Sequence, residues 1–365
     1  MELGDKSPAG QGGTLRIISL NHFVNDSSLY LLSSLFPVAV FALGFTTLQI
    51  GIIVAAGYLV TMVFQPIAGR LLERSGAGKL LALGMSLRAL SMVMLAFTKT
   101  FELFLVPVFI LRAGSSFFHP IGASVISKTY KGGRLDSSMG IQSAFGNLGI
   151  VFAFFLSVPL YLHLGWRGPF LLYACLEMAT ALITLAVMRE RADTPLQPAG
   201  AEGPVLREAL PDNIEEGMQS QTGGLRRRGT AFLPASFVLL AFVTGSATSM
   251  FANFGNLLLY GGGLGLALSN NLIGASDICA FIGAVLTGRF TRRIGRNPLL
   301  TVSLLAVGAG TAVLAAYYYN VFIALASLLL IGFFVSMIYP LLYSQLSDYM
   351  SRSGMPRGTG YGFLF

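Results

Sequence analysis

Apolar runs of roughly 20 residues follow one another along nearly the whole chain, each long enough to cross the hydrocarbon core of a bilayer. Only 11% of the residues are charged and 54% are hydrophobic. Soluble domains carry about 25% charged residues, so lipid is the expected solvent here and an all-α integral membrane fold the expected class. The periodicity places spans at about 15–41, 46–69, 79–98, 102–128, 136–161, 166–188, 231–259, 265–288, 297–318 and 321–347, with an eleventh beginning near Gly358. No cleavable signal peptide is expected, because residues 1–13 are polar and Gly-rich. Cys175 and Cys279 fall inside spans and point to neither a disulfide nor a metal site.

The spans form two copies of one unit. Gly69-Arg-Leu-Leu-Glu73-Arg74-Ser-Gly76-Ala-Gly-Lys79 joins spans two and three, and Gly288-Arg-Phe-Thr-Arg-Arg293-Ile-Gly295-Arg296 joins spans eight and nine, 219 positions later. Gly69, Arg70, Arg74 and Gly76 match Gly288, Arg289, Arg293 and Gly295. His119-Pro120 in span four and Tyr339-Pro340 in span ten are 220 apart. The first copy runs on for two more spans after its fourth. The same is expected of the second, giving a twelve-span protein whose last roughly 50 residues lie past Phe365. The expected organisation is a tail at 1–14, a six-helix bundle at 15–188, a linker at 189–230 and an incomplete second bundle at 231–365.

Basic residues orient the chain. Of 24 Lys and Arg, only Lys99 and Arg167 fall at one end of the spans, Arg88 and Arg112 lie within them, and the rest gather at the other end. The basic end and the N-terminus are therefore expected in the cytoplasm, in the cell membrane. The net charge of +8 is thereby explained as a topology signal, and nucleic acid is not an expected partner. The linker, rich in Pro, Gly, Glu and Gln and ending in Arg226-Arg227-Arg228, is expected to be cytoplasmic and disordered.

Several polar groups lie at depth. His22 and Asp26 in span one are four apart and share a helix face, with Asn25 beside them. Asp26 is ten residues beyond Arg16, roughly 15 Å along the helix and near the midplane. An ionisable group there faces a wet cavity or a partner. Two readings stand: a site that takes up and releases protons, imidazole titrating near neutrality, or a hydrogen-bonded pair that fixes helix packing. Arg112 and His119 in span four are two turns apart on one face, with Gly114, Ser115 and Ser116 between them. A guanidinium over a cavity suits an anionic group; the alternative is an Arg112–Asp26 ion pair tying span one to span four. Tyr58 in span two, Gln142 in span five and Asn253 in span seven are further candidates for a cavity wall, hydrogen bonds between helices being the other reading. Asp277 in span eight, the repeat partner of Tyr58, is a second candidate for protonation or for a structural hydrogen bond. Tyr339 is the repeat partner of His119. Asp348 is expected to be solvated at the cytoplasmic end.

The first basic turn resembles the loop signature of the major facilitator superfamily, G-x-x-x-D-R-x-G-R-R, at Gly69, Arg74, Gly76 and Lys79. Glu73 replaces the Asp, Gly78 a basic residue, and Arg292 stands where the second copy would carry its acid. His22 to Asn25-Asp26 together with Gly114-Ser115-Ser116-Phe117-Phe118-His119-Pro120 is similar to the H-x-x-N-D and G-S-S-x-F-H-P elements of the fosmidomycin-resistance branch. The resemblance implies two pseudo-symmetric six-helix bundles that alternate access, with spans one, four, seven and ten lining the cavity. That arrangement would bring Arg112, His119, His22 and Asp26 together, with Asn25 a further candidate for the cavity wall. It also implies that Arg88 and Glu177, on peripheral spans three and six, form a structural ion pair, and that Glu73 latches onto the N-terminus of the eleventh helix. If the chain is cut there, poor stability or no transport is expected. The Gly-rich stretch at Gly140, Gly146 and Gly149 is similar to the signature of drug antiporters, but Ile150 stands in place of its Pro.

The leading expectation is a proton-coupled exporter of a small anionic or amphipathic solute, acting as a monomer in the bilayer. A proton symporter or uniporter for uptake uses the same parts, and a non-transporting sensor on the same fold is a further alternative. No enzyme, cofactor or metal centre is expected, since three histidines and no ligand-spaced acids show no catalytic constellation. No phosphate-cradling loop points to ATP.

Overall fold

The computed structural model describes residues 8–189 and 235–364, and all regular structure among them is helical. Most of the expected linker therefore lies outside the described residues, as do 231–234 of the seventh span. The first half holds α1 (Pro8–Ser34), α2 (Phe36–Leu43), α3 (Thr47–Leu72), α4 (Ala77–Phe97), α5 (Phe101–Ser115), α6 (Phe118–Thr129), α7 (Gly132–Leu164) and α8 (Arg167–Arg189). The second holds α9 (Ala235–Gly261), α10 (Leu266–Ile294), α11 (Arg296–Tyr317), α12 (Val321–Ser353) and α13 (Arg357–Leu364). Among the described residues nine segments are long and apolar enough to cross a membrane: two of them are the joined pairs α1–α2 and α5–α6, and the other seven are α3, α4, α7, α8, α10, α11 and α12.

Helix ends follow local chemistry. Thr46 caps α3 by a reciprocal capping box with Gln49, and Asn320 accepts from the N–H groups of Phe322 and Ile323 at the start of α12. Span four breaks at Ser116–Phe117, because the ring of Pro120 collides with the carbonyl four residues back, that of Ser116. Span one breaks likewise at Leu35, just ahead of Pro37. Several helices run past the expected spans. α1 begins at Pro8, within the expected tail, and α10 and α12 extend to Ile294 and Ser353.

Within each half α4 packs on α8, and α10 and α11 pack on α12; across the halves α7 lies along α10, α3 along α13 and α1 along α9. Glycines permit the cross-half contacts. Gly140 of α7 lies against the carbonyl of Ala284, Gly288 against Ser137, and Gly69 and Gly358 against each other's carbonyls. Gly140→Val is expected to wedge α7 from α10 at a cost of about 1–3 kcal/mol, read as a lowered Tm of the purified protein. Gly51→Ala, where a Cβ meets nothing within 4 Å, should leave Tm unchanged.

Polar contacts join the halves at both ends. At the basic end Arg296 pairs with Asp136 of α7 at 2.9 Å and with Asp348 of α12, Arg292 donates to Ser137 at 3.1 Å, and Glu73 accepts from the backbone N–H of Thr359 at 3.2 Å and from its hydroxyl. Asp348 is exposed at the basic end, as expected, and there it also pairs with Arg296, which follows the second turn. At the opposite end Asn256 donates to the carbonyls of Ser33 and Ser34 and to Asn270 Oδ1. Asn270 donates in turn to the Ser34 carbonyl and to Ser157. Between the two joined ends His22, Asp26, Arg88, Arg112 and Glu177 are all buried.

Candidate functional site

The helix breaks and glycines bring span one against spans four and five. Gly149 lies on the carbonyl of Phe23, and Gly146 faces His22 and Asp26, where a Cβ would stand 2.5 Å from His22 Nε2 and 2.8 Å from Asp26 Oδ2. His22 Nε2 is 3.1 Å from Asp26 Oδ2 and His22 Nδ1 is 2.7 Å from the backbone carbonyl of Gln142. A carbonyl only accepts, so Nδ1 carries a proton. The contact with Asp26 then needs a second proton, either on Nε2 or on the carboxyl, and the pair shares one. Without it two lone pairs would face each other. The backbone carbonyl of Gln142 fixes the His22 ring, while its side chain is buried and donates to Ser143 Oγ at 3.2 Å.

Asp26 Oδ1 accepts from Asn25 Nδ2 at 2.7 Å. Asn25 is fully buried. Its carbonyl oxygen accepts from Arg88 and from Ser115 Oγ at 3.1 Å. Arg88 pairs with Glu177 at 2.7 Å, both wholly buried, and Glu177 also accepts from Ser28. The ion pair expected between spans three and six thus forms, on faces turned away from the exposed apolar side chains of both helices. Spans three and six pack inward, and one amide separates Arg88 from Asp26.

His119 stacks edge-on to His22 with ring centroids 5.5 Å apart. Donor atoms of His22, Asp26 and His119 lie within 4.8 Å of one another, a grouping large enough to hold a metal ion. The expectation that no such grouping exists is corrected; sequence spacing hid it because the ligand from span four meets span one only in the fold. His22 and Asp26 are already hydrogen-bonded to each other, which leaves the proton reading the simpler chemistry.

Arg112, 5% exposed, forms no ion pair with Asp26. Its guanidinium lies 4.6 Å from the centroid of the Tyr58 ring, beside Gly57, and its Nε has no hydrogen-bond partner. Tyr58 Oη accepts from Asn253 Nδ2 at 3.0 Å, and Ser33 Oγ donates to Asn253 Oδ1 at 2.7 Å. Asn253 thus ties the seventh span to spans one and two. Tyr339 is half-buried, its ring 5.9 Å from that of Tyr343. Asp277 lies on the face of α10 turned to the first half: Asn270, Gly274 and Ala284, on the same face, meet Ser157, Phe155 and Gly140.

The pattern that defines the Major Facilitator Superfamily matches residues 18–365. The chain belongs to that superfamily. Among curated facilitators, the fosmidomycin resistance protein of Escherichia coli (strain K12) is 23% identical over 359 residues, 97% of this chain and 83% of that one. The uncharacterized MFS-type transporter YfnC of Bacillus subtilis (strain 168) is 29% identical over 154 residues, 42% of this chain and 37% of YfnC. A probable vesicular acetylcholine transporter of Danio rerio is 27% identical over 39% of this chain and 28% of its own length. The match to the latter two thus spans well under half of each relative. In fold the facilitator is similar to the proton:xylose symporter XylE, with a TM-score of 0.72 at 15% identity over 97% of this chain and 85% of that one. The chain is accordingly a multi-pass membrane protein of facilitator type.

Sequence reasoning missed Asp136 and Asn270, and it met Gly146 only as one glycine of a Gly-rich stretch. Asp136 and Asn270 were visible as polar residues near span ends. Nothing local distinguished Gly146 from the packing glycines around it.

Proposed function

We propose that this facilitator exports a small anionic or amphipathic organic solute from the cell in exchange for protons, alternating access around the midplane with its N-terminus in the cytoplasm. The observation that carries the reading is the His22–Asp26 contact. With His22 Nδ1 held by the Gln142 carbonyl, the 3.1 Å contact is a one-proton site, and it lies in the same interior as the guanidinium of Arg112. Gain or loss of that proton makes or breaks a contact inside span one, which is where a coupling step needs a two-state element. Arg112 supplies the charge for an anionic group of the solute. Export is favoured because the relative that covers 97% of this chain is named for resistance to fosmidomycin. Asp277, His119, Asn253, Tyr58 and Tyr339 surround the same interior.

The glycine at 146 offers a test that leaves both titrating residues in place. Gly146→Ala is expected to break the His22–Asp26 contact and to lower solute-driven proton flux in proteoliposomes about tenfold or more, by displacing a positioned proton-transfer pair. Flux at the wild-type level in Gly146→Ala would show that coupling does not use that contact.

A further inference from the structure

A groove of about 410 Å³ runs along the seam between α1 and α7, both in the first half of the molecule. Its α7 wall is the stripe Ile141, Phe145, Leu148 and Phe152, spaced three or four residues apart and so on one helix face. Phe145 and Phe152 are 39% and 44% exposed. Gly146 and Gly149, on the next face round the helix, press on His22, Asp26 and the Phe23 carbonyl. The groove therefore opens on the outer side of the seam, and the His22–Asp26 pair lies behind it. The rings of Phe23 and Phe152, edge-on with centroids 5.2 Å apart, close its deep end. The other end lies at the basic end of the molecule. There Arg16 is exposed and makes no hydrogen bond or ion pair with a described residue. One turn deeper on the α1 wall, Ser19 is 2% exposed and its hydroxyl has no hydrogen-bond partner among the described residues. No acidic side chain among the described residues lines the groove.

Length, polarity and charge along this groove match one leaflet of a bilayer. From Ile141 to Phe152 the stripe covers roughly 16 Å of helix, about half of the hydrocarbon thickness. A cation stands at its shallow end, an unpaired hydroxyl roughly 4.5 Å deeper, and apolar side chains below that. We propose that the α1–α7 groove binds one glycerophospholipid with a net-anionic headgroup, drawn from the leaflet at the basic end. Its phosphate lies on the Arg16 guanidinium, an ester carbonyl accepts from Ser19 Oγ, and one acyl chain lies along Phe145, Leu148 and Phe152 while the other stays in the surrounding lipid. The guanidinium suits a phosphate in charge and in the geometry of its donors. The buried hydroxyl gains the acceptor that it lacks. A headgroup that added an ammonium would bring a second cation to the basic end, with no acid in the groove to receive it, so a net negative headgroup is favoured.

The test uses the full chain, purified in detergent and stripped of lipid, with three probes of equal acyl length: dioleoyl phosphatidylglycerol, dioleoyl phosphatidylcholine and dioleoylglycerol. Bound lipid is counted by native mass spectrometry, and affinity is read from thermal stabilisation. Phosphatidylglycerol should bind at least about fivefold more tightly than phosphatidylcholine, the worth of one cation against anionic lipid, and dioleoylglycerol should bind more weakly than either. Arg16→Gln should reduce phosphatidylglycerol to the affinity of phosphatidylcholine. Arg289→Gln, at an exposed arginine of the same end but outside the groove, should leave the preference intact. Leu148→Trp, which fills the groove from its wall and keeps Arg16, should weaken all three probes. The proposal is overturned if phosphatidylcholine binds as tightly as phosphatidylglycerol, if Arg16→Gln keeps the preference, or if Leu148→Trp leaves every affinity unchanged. Equal losses in Arg16→Gln and Arg289→Gln would reduce the effect to general attraction of anionic lipid to the basic end and would overturn it as well. So would a full chain that retains no phosphatidylglycerol, or a preference that emerges only after residues 1–7 are removed, which would assign the groove to the chain's own N-terminus.

Discussion

Asp26→Asn is expected to lower solute-driven proton flux by about two orders of magnitude, the smaller end of what losing a positioned proton-transfer group costs, while leaving the protein folded. The two halves of that expectation come from one geometry. Asn at this position presents an amide N–H toward His22 Nε2, so the 3.1 Å contact between the helix-one side chains survives as an ordinary hydrogen bond. Stability should then change by no more than about 1 kcal/mol, the net worth of one such bond. The amide cannot take up or release the shared proton, and the coupling step has no two states to move between. Flux into pH-dye-loaded proteoliposomes, with Tm measured on the same preparation, separates the proton role from a packing role. Normal flux with normal Tm would return His22–Asp26 to packing and pass the coupling role to His119 or Asp277. Glu102→Gln, at an exposed carboxyl on the opposite end, serves as the control and should change neither quantity.

The largest loss of stability is expected from breaking the Arg88–Glu177 pair. Both groups are wholly buried and 2.7 Å apart, in a place where neither can reach water. Glu177→Ala leaves a bare guanidinium beside Asn25, and Arg88→Ala leaves a bare carboxylate beside Ser28. Each single change should cost about 3–5 kcal/mol, the usual price of orphaning one member of a buried pair. The double change Arg88→Met with Glu177→Met removes both charges and restores apolar volume. It should be less destabilised than the sum of the singles by more than about 1 kcal/mol. Additive losses across the four proteins would sink the argument and reduce the pair to two independent contacts. The Arg88 variants carry a second expectation, since Asn25 holds Asp26 with one end of its amide and receives Arg88 with the other. Arg88→Lys, which keeps the charge and shortens the fork, should retain most of the stability yet shift the pH at which flux is half-maximal.

Much of the architecture was legible in the chain. Spans 79–98, 102–128 and 166–188 agree with α4, with α5–α6 and with α8 to within a few residues, because the bilayer demands an apolar length and that length is a local property. The 219-residue offset between Gly69 and Gly288 made the duplication visible, and so did the 220-residue offset between His119-Pro120 and Tyr339-Pro340. The residues of the site were also nameable, since His22, Asp26, Arg112 and Asp277 are ionisable groups in apolar runs and each had to meet something. What each of them meets was decided only in three dimensions. Arg88 takes Glu177, 89 positions on, and Asn25, 63 positions back. Arg112 takes the Tyr58 ring in place of Asp26, and Arg296 spans Asp136 and Asp348 from two different helices. A charge at a known depth still has several helices within reach. The choice among them rests on how each helix is rotated about its axis and how closely it approaches its neighbours. Those two quantities are set by glycines such as Gly140, Gly146 and Gly149 pressing on carbonyls and side chains of distant helices, a fact of packing that no stretch of the sequence contains.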